Sequence, residues 1–157
     1  MKRGIFVEIP NEYNNLLWKV LKPIHISSFD WWVGSEESYL VARGGLDEAL
    51  FPEEPSVMEG SDLNRLFKDN VYYLIFADLK AYSKGEEAID IETYEEFKES
   101  KCEVAVLVVD AQYIQIYAKE QKAIELMYEN AHDLGFYVEY VTDENDGRTR
   151  LSRFNGQ

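Results

Sequence analysis

Residues 102–117, CEVAVLVVDAQYIQIY, decide how the rest of the chain is read. Residues 104–109 form an unbroken apolar run with four valines, the pattern of a strand covered on both faces. After Asp110, Ala111 and Gln112 the pattern changes to alternation, with Tyr113, Gln115 and Tyr117 set against Ile114 and Ile116. That change suits a half-buried strand returning through a short hairpin loop. A sheet with this hairpin at its centre is therefore expected to organise the fold.

Outward from the hairpin, residues 71–77 (VYYLIFA) are a second nearly continuous apolar run, expected beside the Val104 strand. Residues 78–82 prolong it as a more exposed, alternating segment. On the other side, residues 120–134 place Ile124, Met127, Tyr128, Ala131 and Leu134 on one helical face, and Gly135 suits the left-handed residue that ends the helix. A strand over 136–141, a turn over 143–147, a terminal strand over 148–154 and a frayed end follow.

Nearer the start, Ile5, Val7 and Ile9 alternate against Phe6 and Glu8 in a first strand stopped by Pro10. Asn11 is placed to cap a helix whose stripe is Tyr13, Leu16, Leu17, Val20 and Leu21, and Lys22-Pro23 stops it. Ile24 and Ile26 alternate around His25 as a strand leading into Phe29, Trp31 and Trp32. Adjacent tryptophans in a strand point to opposite faces, so one belongs to the core while the other either packs against the domain as well, covers a sheet edge, or stays partly exposed where a partner could stack. Residues 38–43 read as a strand and 46–50 as a short helical turn. Ser61 is placed to cap a helix buried through Leu63, Leu66 and Phe67. Thr93 and Glu96 have capping-box spacing for a short helix buried through Tyr94 and Phe97.

Together these elements predict one α+β domain over residues 1–157, with residues 154–157 as a tail. Its central sheet is largely antiparallel or mixed, with helices packed on it. At 157 residues and 46% hydrophobic, the chain is of a size to build a single core. Thirty acidic against sixteen basic side chains leave a formal charge of −14, which repels nucleic acid and anionic lipid and favours basic partners. The lone Cys102 excludes an internal disulfide, and neither a signal peptide nor a membrane-length apolar run is present, so a cytoplasmic protein is expected.

Four phrases taken together, KRGIFVEIPNEY, YYLIFADLKAY, VVDAQYIQIYAK and VTDENDGRTRLS, resemble a family of small uncharacterised proteins from Gram-positive spore-forming bacteria. The likeness spans nearly the whole chain. It implies a bacterial cytoplasmic single-domain protein and transfers no catalytic residue.

The strongest enzymatic constellation is Asp78 with Asp110, each just beyond an apolar run. Parallel neighbouring strands would project both from one sheet edge, where a divalent metal could sit. A hairpin-built sheet instead leaves each aspartate to start a turn. Residues 143–147 lack calcium-loop spacing, because Gly147 falls at the fifth position and Phe154 where a bidentate Glu should stand. Arg148, Arg150 and Arg153 cluster nearby; Arg148 and Arg150 share a face of the expected strand, either clamping an anion or pairing with local acids. His25 and His132 lie near no nucleophile elbow, and Cys102 opens an apolar strand where a thiol is inert. No phosphate loop, dinucleotide fingerprint or zinc spacing occurs, so no cofactor is expected.

Charge and aromatics remain. Residues 47–62 carry six acids and no base, Glu53 and Glu54 among them; residues 86–103 carry eight acids, including Glu95, Glu96 and Glu99, against two bases. Such runs are ordinarily solvated surface. Joined to an exposed Trp31 or Trp32, they point to a non-catalytic protein that binds a basic protein partner, in an immunity-like or regulatory role.

Overall fold

The computed structural model describes residues 1–148, 150 and 151. Its strands are β1 (Lys2–Glu8), β2 (Phe29–Val33), β3 (Ser38–Ala42), β4 (Gly45–Ala49), β5 (Ser56–Glu59), β6 (Tyr72–Leu74), β7 (Phe76–Ser83), β8 (Cys102–Val109), β9 (Tyr113–Ala118) and β10 (Tyr137–Thr142). The helices are α1 (Leu16–Leu21), α2 (Gly60–Lys68), α3 (Tyr94–Glu99) and α4 (Gln121–Asp133). Seven strands form one sheet in the order β10-β1-β9-β8-β7-β2-β5, and β4-β3-β6 form a smaller one. Every pairing between these strands is antiparallel, so the fold is α+β.

The β8–β9 hairpin is the centre of the large sheet, with Val106 opposite Ile116 and Val109 opposite Tyr113. Asp110 and Ala111 both take positive φ, +55° and +62°, the backbone twist that lets a tight turn join two twisted strands. Alternate β8 residues then serve two cores. Val104, Val106 and Val108 face helices α1, α2 and α4, where Leu17, Leu21, Leu63, Phe67, Ile124 and Met127 are buried. Ala105 and Leu107 face a second cluster with Tyr82, Tyr117, Ile91, Phe97 and Leu151, supplied by the segment between β7 and β8 and by the C-terminal end. The continuous apolar run is thus explained by a layer on each side of the sheet.

Several expectations are corrected. Residues 71–77 are not one strand: β6 belongs to the small sheet, and the neighbour of β8 begins at Phe76. The break lies at Ile75, whose carbonyl accepts from the Ala111 amide at 3.3 Å. Residues 78–82, expected to be more exposed, are all buried because the second layer covers that face. In place of a strand from Ile24, two 3-10 turns form, Lys22–Ile24 and Ile26–Ser28, since His25 between them is left-handed at φ +57° and leaves the extended path. The expected helical turn at 46–50 is β4, joined to β3 through Arg43 and Gly44, both at positive φ. Ser61 is not a cap: α2 already starts at Gly60, which is pressed so close to Phe29 O and Ile26 O that an added Cβ would lie 2.2 and 2.4 Å away. At α1 the local acceptor is Asn14 Oδ1, 2.9 Å from the Leu16 amide, instead of Asn11, and Tyr13 is exposed.

Other local signals hold. Thr93 Oγ1 accepts from the Glu96 amide at 3.0 Å, the capping-box bond expected for α3. Past the end of α4, Gly135 takes φ +88°. The expected terminal strand lies partly outside the described residues, as do Arg153 and the tail; within them Arg150 makes a single bridge to Thr93.

Strand β1 lies between β9 and β10, and Gly4 there has no room for a side chain, since a Cβ would stand 1.7 Å from Ile116 O. Gly4→Ala is expected to cost about 2–3 kcal/mol in urea unfolding through forced strand displacement. Gly45→Ala, where a Cβ meets nothing within 4 Å, is the control and should stay within about 0.5 kcal/mol.

Candidate functional site

The two tryptophans of β2 separate as alternation requires. Trp31 is fully buried, and its indole N–H donates to Ile26 O at 3.0 Å. Trp32 is half-buried on the opposite face, between Val57 of β5 on one side and Lys80 of β7 on the other. The Lys80 ammonium lies 5.2 Å from the Trp32 ring centroid. Strand β5 is the outer edge of the sheet, and Val57 is 58% exposed there. Beside this apolar pair, Asp30 stands directly opposite Glu59, a like-charge cross-strand pair that repels. Lys84 approaches Asp30 to 3.6 Å. The exposed Glu53 and Glu54 lie in the loop that enters β5. The result is an indole and a valine on an open edge, bordered by carboxylates.

Behind Trp32 lies a buried ion cluster. Lys80 has no exposed surface; its ammonium donates to Asp78 and to Leu151 O at 2.9 Å, and is ion-paired with Asp90 at 3.1 Å. The cation is thus satisfied from within the protein. Burial pushes the Asp78 carboxyl up to about 6, against the pull of Lys80 and with help from Asp90 and Glu36. Asp78 therefore serves Lys80. Asp110 is exposed in the hairpin turn, and β7 and β8 run antiparallel, so the parallel geometry needed for an Asp78/Asp110 metal site is not formed. Among the described residues no three His, Cys, Asp or Glu side chains are grouped to hold a metal ion.

The remaining candidates are dispersed. On α3, Glu95 pairs with Lys98 at 3.1 Å, Glu96 belongs to the helix cap, and Glu99 is exposed. The acidic turn after β10 is neutralised from within: Arg3 bonds Asp143 at 2.9 Å and Asp146 at 3.2 Å, stacks 4.0 Å over Tyr94, and Tyr117 donates to Asp146 at 2.9 Å. Arg148 donates from its guanidinium to Arg150 O at 3.4 Å. Arg148 lines a groove of about 160 Å³ with Phe6, Tyr113 and Gln115, whereas Arg150 is exposed at its bridge to Thr93. Burial pushes the Cys102 thiol up to about 12, which leaves it protonated and inert at neutral pH. His25 and His132 are both exposed.

Sequence reasoning missed the Lys80 cluster and the β5 edge. The signal for the first was the i, i+2 spacing of Asp78 and Lys80, which puts opposite charges on one strand face. Strand β5 carried no signal, being four residues long and preceded closely by Pro52 and Pro55.

Two outcomes follow from the cluster. Removing the cation in Lys80→Met leaves the buried Asp78 without its partner, and should cost about 3 kcal/mol by urea unfolding. Because the folded Asp78 carboxyl titrates near 6 and the unfolded one near 3.8, folding binds its proton in that window. Its stabilising contribution is full below the unfolded value and is lost as pH rises through about 6. Wild type compared with Asp78→Asn should thus lose on the order of 2 kcal/mol between about pH 4 and pH 7, and an opposite slope would show the Lys80 attraction outweighing burial.

No solved structure matches the chain. It is 42% identical over 153 residues to "Uncharacterized protein YncE" of Bacillus subtilis (strain 168), covering 97% of this chain and 99% of that one. No helix among the described residues is long and apolar enough to cross a membrane. Residues 2–152 match the model of one family, and the chain belongs to that family, described as "Protein of unknown function (DUF2691)".

Proposed function

We propose that this chain is a non-catalytic cytoplasmic protein that binds a basic protein surface at the Trp32–Val57 edge. The single observation that carries the reading is the half-exposed Trp32 beside the exposed Val57, next to the opposed carboxylates of Asp30 and Glu59. An amphipathic aromatic ring offers contact area at little entropic cost, and a cation placed between Asp30 and Glu59 relieves their repulsion. Glu53 and Glu54 extend the negative field along the approach to β5, and the overall charge of −14 accelerates encounter with a positive partner. The open edge of β5 offers main-chain donors and acceptors to a partner segment as well. Neutralisation of a basic toxin and regulation of a basic protein are both forms of this activity. The engagement of Asp78 by Lys80, and of Arg3 by the turn acids, argues against a reaction centre at those carboxylates.

Immobilised protein should retain a basic partner from a Bacillus subtilis lysate at about 50 mM salt and release it at about 500 mM. Trp32→Ala should weaken retention about tenfold or more, and Glu53→Gln with Glu54→Gln should lower it mainly at low salt. Retention that ignores both salt and Trp32 would exclude this surface.

A further inference from the structure

The geometry points to a second, unassigned binding site: a cavity beneath α4, on the helical side of the sheet, that takes a small organic ammonium ion with an apolar body. Its volume is about 290 Å³, near the lower end for small-molecule sites. Ile24, Phe29, Val104, Ala118 and Leu126 give it an apolar lining, and three polar side chains reach it: His25, Glu103 and Glu120. Each of the three is held there by a local departure from regular structure. Between β7 and β8 the register shifts, Ala81 facing Val104 while Tyr82 faces Cys102, so Glu103 is the extra residue of a bulge. Bulges re-aim side chains, and this one brings Glu103 to the cavity although its neighbours Cys102 and Val104 serve the two cores. His25 occupies the left-handed region at φ +57°, a conformation that a non-glycine residue adopts at a cost. Glu120 stands at the N-cap of α4, yet its side chain makes no capping bond.

The charge of the ligand follows from what these carboxylates lack. Among the described residues neither Glu103 nor Glu120 has an ion-pair or side-chain hydrogen-bond partner. The neighbouring base, Lys119, is turned away: its ammonium donates to Ser100 O and lies 5.3 Å from the Phe97 ring on the other side of the sheet. Lys22, next to the His25 turn, sits instead 5.5 Å from the Trp18 ring. Two carboxylates at the mouth of an apolar cavity repel an anion and leave a neutral apolar ligand without polar partners. An ammonium group on a single ring or short branched chain satisfies both the charge and the volume.

Benzylamine is a suitable probe, followed by amide chemical shifts of the full chain. Saturable shifts are expected at Ala118, Ala123 and Leu126, with affinity about tenfold or more above that of benzyl alcohol, which lacks the charge. Glu103→Gln with Glu120→Gln should reduce benzylamine affinity to the level of the alcohol while leaving the amide spectrum folded. Should that double variant unfold, Leu126→Trp, which fills the mouth, must abolish the shifts. Equal binding of amine and alcohol, unchanged binding in the carboxamide variant, or no saturable shift up to about 50 mM would overturn the assignment.

Discussion

Burying β8 on both faces is the constraint on which the molecule depends. A strand with no polar side chain from Val104 to Val109 gains nothing from water on either side, so the sheet must carry two layers. Helices α1, α2 and α4 supply one. The other is assembled from less regular material, α3 and the segment around Ile91 together with Leu151 from the far end of the chain. Because that second layer spans β7 as well, whatever side chains β7 presents to it are buried whether they are apolar or not.

This is why Lys80 matters. It has the same parity as Tyr82 and faces the covered side, so its ammonium must find partners inside the protein. Asp78 and Asp90 provide charge and Leu151 provides a carbonyl, which ties the irregular layer to the sheet through a directional bond as well as through apolar contact. Arg3 does the equivalent at the other end, joining β1, the turn after β10 and Tyr94 of α3. In a chain with thirty acids, Lys80 and Arg3 are the basic fasteners of the second layer. The surplus of acid is thereby left on the outside, where the Trp32 edge and the cavity mouth lie.

Both candidate sites arise where the regular pattern stops. The Trp32 edge exists because β5 is the last strand and nothing described covers Val57. The cavity exists because a bulge, a left-handed histidine and an uncapped helix start meet near one end of the hairpin. Neither depends on the other, since one lies on the helical face and the second across the sheet from it.

The alternation of β1 and β9, the two-faced run of β8, the Thr93 cap, the opposite directions of Trp31 and Trp32 and the stripe of α4 as far as Ala131 were legible in the sequence, whereas Leu134, expected on that stripe, is exposed past the end of the helix. Each depends on residues close along the chain, where the strand or helix period fixes which way a side chain points. What the chain could not declare locally was which strand lies beside which. Residues 71–77 look like one core strand, yet they split between two sheets because each half pairs with a different distant partner. The burial of Lys80, its bond to Leu151 seventy-one residues away and the edge position of β5 are likewise long-range outcomes, settled by packing and strand order. The α+β class, the central hairpin and the acidic character are written into the order of residues, since local periodicity and composition carry them. Which charges are neutralised inside and which carboxylates are left unpaired was settled by the folded chain alone, because that depends on side chains far apart in sequence meeting across the covered sheet.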